Sequence, residues 1–170
     1  EQTMTLKENL KYRSWVEVDL GNFAANWAEM RRLVGPGVKI MQVVKADAYG
    51  HGAIEISNVA LKNGASCLGV ANADEGVQLR VSGITAPILI LSPATVSEID
   101  QIIKYNLTSS VSDPGFAREF QKRARRAGIR APIHIEVDTG MGRGGTMQAE
   151  AFQTIREIAG FANLAVEGIF

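Results

Sequence analysis

Six short apolar runs recur along this chain with a helix-length segment after nearly every one, and that rhythm limits the folds open to it. The runs cover residues 39–44, 67–70, 87–91, 108–111, 133–137 and 164–170. A shorter strand is expected before them, at 15–18. Residues 21–34 read as a helix, with Phe23, Trp27, Met30 and Val34 at helical spacing, Arg31 and Arg32 in the last turn, and Pro36 and Gly37 beyond it. Residues 51–63, 73–81, 95–104 and 147–159 read as helices as well. Asp113 caps a further helix with Pro114 at its first position, running to Ala127 and stopped by Gly128. Strands alternating this regularly with helices imply parallel strands joined by crossover helices. Two architectures fit: an open doubly wound sheet, and a barrel of strands ringed by helices.

The chain has 170 residues, one domain's worth, whereas a complete (β/α)8 barrel typically needs about 250. Its last apolar run carries no turn or cap after it. The expectation is therefore an α/β TIM-type barrel, truncated after about six strands and spanning 13–170, behind a polar N-terminal arm at 1–12. Eighteen basic residues balance eighteen acidic ones, so no net charge points to nucleic acid or an anionic membrane. No apolar stretch has the length of a membrane span. The lone Cys67 sits in an apolar run and reads as a buried thiol, and Trp15, Trp27 and the methionines read as core. No metal site is expected.

Chemistry concentrates in two stretches. The first is Val43-Val44-Lys45-Ala46-Asp47-Ala48-Tyr49-Gly50-His51-Gly52. It places Lys45 where an apolar strand breaks into a turn, held by the strand yet aimed into the space above it. Removal from water there favours the neutral amine, which can attack a carbonyl to form a Schiff base. Tyr49 offers a hydroxyl nearby, and Gly50 and Gly52 let the backbone approach a ligand. A strand-capping surface lysine is the plainer alternative. His51 reads as the start of the next helix, where its backbone N–H would face a phosphate.

The second stretch runs from His134 to Gly145. Ile133, Ile135 and Val137 alternate with His134, Glu136 and Asp138, so the polar three share one strand face. They either line a site or sit on a half-exposed edge strand. Asp138, Thr139, Gly140, Met141, Gly142 and Arg143 follow.

Both stretches, and residues 15–20 before them, resemble the alanine racemase family of pyridoxal-phosphate enzymes, over nearly the whole chain. The resemblance implies a barrel, racemisation of L- and D-alanine, and pyridoxal 5'-phosphate bound to Lys45 as a Schiff base. It implies that Tyr49 bonds the cofactor phosphate and that Arg143 bonds the cofactor's phenolic oxygen and the substrate carboxylate. Many family members carry a carbamylated lysine seven residues before that arginine. Here the position is Glu136, whose own carboxylate could orient Arg143 instead. Lys45 would exchange the α-proton on one face. In the family the opposite face is served by a tyrosine from the partner subunit's C-terminal domain, and none of Tyr12, Tyr49 and Tyr105 matches it. A cytoplasmic homodimer supplying D-alanine to the cell wall is the implied setting, with this chain alone inactive. Racemisation of serine or another small amino acid, or a non-catalytic cofactor-binding module, would share both motifs.

Two further patterns have rival readings. Gly140, Gly142 and Gly145 after a strand, with Glu167 about twenty residues on, match a dinucleotide fingerprint. The polar strand before them and the offset of the first glycine count against it. Arg118, Lys122, Arg123, Arg125 and Arg126 form a basic helix face opposite Phe116, Phe120 and Ala124, read as a solvated surface rather than a nucleic-acid site.

Overall fold

The structure of the protein, a computed structural model, describes residues 13–170; the expected arm lies outside the described residues. Six parallel strands form one sheet in sequential order: β1 (Met41–Val43), β2 (Cys67–Val70), β3 (Ile88–Ile90), β4 (Thr108–Val111), β5 (Ala131–Ile135) and β8 (Leu164–Ile169). Between β5 and β8, two-residue strands β6 (Val137–Asp138) and β7 (Thr146–Met147) pair with each other. The helices are α1 (Leu20–Val34), α2 (Ala53–Lys62), α3 (Ala73–Val81), α4 (Ile99–Lys104), α5 (Pro114–Arg126) and α6 (Ala151–Ala159). No described helix is long and apolar enough to cross a membrane.

Register sorts the side chains. Val70 pairs with Ile90, Ile90 with Ser109 and Ser109 with Ile133, and all four are completely buried. With Leu68, Ile88 and Ile135 they form the sheet face packed against the helices, where Ile56, Leu79, Phe120 and Ala124 complete the core. In β1 that face carries Gln42, whose Oε1 accepts a hydrogen bond from Trp27 Nε1 of α1 at 2.9 Å. The opposite face carries Val43, Gly69, Ser110 and His134. It is mixed where the helix face is aliphatic: Leu89 and Thr108 lie in the same row, and Met41 and Leu91 flank Gly69. Gly168 of β8 belongs here because a Cβ would stand 2.7 Å from the His134 ring.

The Asp113 capping signal holds, and other caps accompany it. Asp19, Asn72 and Asp113 cap α1, α3 and α5 by accepting backbone N–H bonds, and Thr95 and Glu98 form a reciprocal capping box before α4. Three of the five basic residues of α5 are paired: Arg118 meets Glu157 at 2.9 Å, Arg123 meets Asp100 at 2.9 Å and Lys122 meets Glu119 at 3.2 Å.

Four local expectations fail. Residues 15–18 are not a strand, because no described backbone runs beside them to take their hydrogen bonds, and Trp15 and Val16 are exposed. Met30, Met141 and Met147 are likewise exposed rather than core. The helix expected from 51 begins at Ala53, because residues 45–50 wind into a separate turn. The helix expected from 147 begins at Ala151, because Thr146 and Met147 are drawn into β7 by Val137 and Asp138. Cys67 is half-buried, and that burial pushes its thiol pKa up.

One arginine fastens the ends of β3 and β4. Arg80 of α3 donates to the carbonyls of Ile84, Ala86, Tyr105 and Asn106 at 2.6–2.9 Å. Replacing it with methionine keeps the stem but strands four acceptors, and we expect a loss of about 2–4 kcal/mol, since bonds to a charged donor are worth roughly 1.5–3 kcal/mol each and do not add fully. Urea unfolding of R80M against wild type measures this, and a loss below about 0.5 kcal/mol would show that water replaces the fork.

Candidate active site

The site stands at the C-terminal ends of the strands, where barrel enzymes keep their chemistry. Lys45 follows β1 directly. Its place after Val43 and Val44 continues the alternation, Val44 being buried against the helices and Lys45 falling on Val43's side. Lys45 is half-buried, and its Nζ lies 6.0 Å from the centre of the Tyr49 ring.

The backbone here is unusual. Ala46, Asp47, Ala48 and Tyr49 have φ of 51–55° and ψ of 37–50°, a full turn wound left-handed. For residues with a Cβ this costs roughly 1–2 kcal/mol each, so it persists only where the surroundings over-determine it. Ala48 N donates to Val44 O at 2.9 Å and Gly52 N to Asp47 O at 3.0 Å. Asp47 Oδ1 accepts from Ala53 N at 2.7 Å, locking the turn to the start of α2. Glu75 Oε1 accepts from Ala46 N at 2.9 Å while its Oε2 accepts from Ala71 N at 2.7 Å. Glu75 and Asp47 escape a reading of the sequence. Asn72 with Glu75 three residues on has the form of a capping box, but the carboxylate turns to Ala71 and Ala46 instead. The His51 N–H donates to Ala48 O at 3.2 Å, so it closes the turn rather than facing a ligand.

The second part of the site is the loop after β5. Glu136 follows Ile135 on the His134 side, its N–H bonded to Val111 O and its carbonyl to Thr146 N. Asp138 Oδ1 accepts from the N–H groups of Gly140 at 2.9 Å and Gly142 at 3.0 Å, folding the loop around one carboxylate. Those bonds, Gly142's first, hold the Asp138 pKa below the usual carboxylate range. Gly145 must be glycine: its φ is +98°, and a Cβ would stand 2.6 Å from Asp138 N. Glu136, Asp138, Met141, Arg143 and Phe170 line a cleft of about 220 Å³. Arg143 is exposed and makes no ion pair among the described residues. Glu136 is near enough to feel its charge but does not hydrogen-bond it, and its buried Oε2 has no partner among the described residues. Burial raises the Glu136 pKa, against the opposing pull of Arg143. Among the described residues no cluster of His, Cys, Asp or Glu could hold a metal ion.

The dinucleotide fingerprint fails on this geometry. The glycine loop leads into β7 rather than a helix, and its N–H groups at Gly140 and Gly142 are spent on Asp138. Glu167 lines a recess with Arg80, Thr85 and Arg130, at the strands' opposite end.

Comparison with known proteins agrees with the architecture. The family described as alanine racemase, N-terminal domain, matches residues 18–170. This chain belongs to that family. The alanine racemase of Methanococcus maripaludis is 41% identical over 157 residues, covering 92% of this chain and 42% of that protein. Alanine racemase 1 of Clostridium acetobutylicum is 43% identical over 157 residues, 92% of this chain and 40% of its own length. The solved alanine racemase of Clostridium difficile 630 superposes with a TM-score of 0.89 at 35% identity, covering 92% of this chain and 41% of that one. The chain thus spans about two fifths of these relatives, and its six-stranded sheet is part of their barrel wall.

The raised Glu136 pKa has a testable sign. A carboxyl whose folded pKa lies above its unfolded value, about 4.5, binds protons more tightly when folded. It therefore costs stability as pH rises from the unfolded value through the folded one. Glu136→Gln removes that cost, so the variant should gain stability over wild type near pH 7, by less than about 1 kcal/mol after solvent screening, and none near pH 4. Thermal unfolding at the two pH values measures it, and the same difference at both would contradict this account.

Proposed function

We propose that this chain supplies the lysine side of a pyridoxal-phosphate-dependent racemase that interconverts L- and D-alanine. The observation that carries the reading is Lys45 on a strained, tightly bonded turn at the strand ends, on the sheet face that also carries Glu136. The residues fit the cofactor. An amine, a phenol and an unpaired guanidinium stand at one end of the sheet, and a Cβ at Gly50 would meet nothing within 4 Å. When bound, pyridoxal phosphate delocalises the electron pair left by the departing α-proton.

Lys45 would hold the cofactor and would also serve as the base that removes or returns the α-proton on one face. The Tyr49 hydroxyl would donate to the phosphate. Arg143 would donate to the cofactor's phenolic oxygen and to the substrate carboxylate, a task for a planar, permanently charged fork. Glu136 faces the same cleft and biases Arg143 through charge. The opposite face needs a second acid/base. Tyr105 lies with Lys104, Arg80 and Gly83 around a different recess, which favours a tyrosine from a partner subunit, as in a homodimer.

The test is direct. Incubate the natural gene product with pyridoxal 5'-phosphate, reduce with borohydride, digest and map the phosphopyridoxyl group by mass. We expect it on Lys45 and expect Lys45→Ala to abolish it; a folded sample labelled elsewhere would overturn the reading. Product analysis with L-alanine and L-serine then fixes the substrate.

Two kinetic outcomes follow from these roles. Arg143→Lys keeps the charge but loses the fork, and should lower kcat/KM by about ten- to a hundred-fold, the worth of one charged hydrogen bond. The 170 residues alone should turn over alanine at least about 10²-fold more slowly than the racemases they resemble, the usual cost of a missing acid/base. D-alanine formation from L-alanine measures both, and turnover of the short chain within tenfold of a relative would place the second base inside these residues.

A further inference from the structure

The left-handed turn after β1 poses a bonding problem. Up to Val44 the strand ladder is regular, with Val44 N donating to Gly69 O at 2.8 Å. One residue past Lys45 the chain reverses its hand, and the Ala46 N–H no longer faces a carbonyl of β2. Its acceptor is Glu75 Oε1 at 2.9 Å. The same carboxylate takes the Ala71 N–H, just past β2, through Oε2 at 2.7 Å. Glu75 itself is anchored on α3, its N–H donating to the Asn72 cap at 3.0 Å. One side chain thus extends the β1–β2 ladder a step beyond the last strand residues and grips the peptide next to Lys45.

We propose that Glu75 is a positioning residue for Lys45. It does not reach the amine. It fixes the Ala46 peptide, and so the left-handed turn, and so the direction in which the Lys45 side chain leaves the strand. The proposal rests on the reading of Lys45 as the cofactor lysine. The chemistry it demands is narrow: both groups facing the carboxylate are N–H donors, so the residue must accept twice. Glutamine has the same shape but offers one acceptor and one NH₂, and must turn a donor toward Ala46 or Ala71. Aspartate keeps two acceptors on an arm shorter by one methylene.

The experiment compares wild type, Glu75→Gln and Glu75→Asp in the natural gene product. The first readout is the pyridoxal phosphate concentration at which half of Lys45 carries the borohydride-trapped group. We expect E75Q to need roughly tenfold more or higher, as for loss of one bond to a charged acceptor, with E75D in between. A role in filling space alone would be rescued fully by the isosteric glutamine, so E75Q labelling like wild type overturns the proposal. The second readout is amide hydrogen exchange in cofactor-free, ¹⁵N-alanine-labelled protein. We expect the Ala46 and Ala71 amides to be protected in wild type and Ala46 to lose protection in E75Q. Rapid exchange at Ala46 in wild type overturns the clamp even if E75Q fails to fold. Absence of any adduct on wild-type Lys45 instead sinks the cofactor reading, and the exchange result then still reports whether the carboxylate grips the turn.

Discussion

The register of six parallel strands decides where the polar side chains of this protein can stand. Because side chains alternate along a strand, one unbroken register sends Leu68, Val70, Ile88, Ile90, Ile133 and Ile135 to the helices. The intervening positions then face the other way, as Gly69, Ser110 and His134 do. A slip of one residue in β5 would bury His134 among aliphatic side chains and turn two isoleucines toward the cleft. The helix-facing rows supply the apolar burial that sets this register. The opposite face, mixed in character, inherits its geometry from the other side of the same strands. Even the irregularity obeys this order: β8 shifts register between its pairings with Ile133 and His134, which brings Gly168 against the His134 ring.

Past the C-terminal ends of β1, β2 and β5, the irregular backbone is held by carboxylates. Asp138 gathers the N–H groups of Gly140 and Gly142, Asp47 takes Ala53 N, and Glu75 joins Ala46 to Ala71. These are charge-assisted bonds to backbone donors, stronger than neutral ones, and they replace the ladder bonds that a strand loses where it stops. Glu136 stands apart. Its backbone is fully bonded into the sheet but its Oε2 has no partner, and an unpaired buried acceptor is costly. Among the loop's carboxylates it is the one whose arrangement does not account for itself without a further group in the cleft.

Much of the fold was legible because its signals are local. Asp113 with Pro114 announces a helix start through a bond made within one turn. The six apolar runs mark every strand of the main sheet within two residues or so. The failures have non-local causes. Residues 15–18 have the pattern of a strand, but strandhood requires a neighbour, which pattern cannot supply. Met147 reads as the start of a helix, and with Thr146 it is captured by Val137 and Asp138. The left-handed turn is the deepest miss, since alanine is the best helix former and nothing in Ala46-Asp47-Ala48 announces a positive φ. Lys45, Tyr49, Glu136 and Arg143 stand out in the sequence as the residues of the proposed site; Glu75 does not, because its partners lie 4 and 29 residues away in sequence.

The hand of that turn bears on why Lys45 and Tyr49 sit four residues apart. In a helical turn of either hand, positions four apart come to one side, so the spacing alone brings the phenol near the amine, 6.0 Å from Nζ to ring centre. The hand decides the exit. A right-handed turn at this point would run straight on toward Ala53 and extend α2 backwards over the strand ends. The left-handed turn instead closes on itself, with Gly52 N on Asp47 O, and Gly50 and Gly52 at φ of 85° and 90° return the chain to a right-handed path. Glycine is suited to those two joints because its backbone crosses between the hands without a Cβ clash. The turn thereby becomes a separate platform between strand and helix. Its Lys45 end is fixed by β1 and Glu75, its far end is fixed by Asp47 and α2, and Tyr49, 62% exposed, is left on the open side.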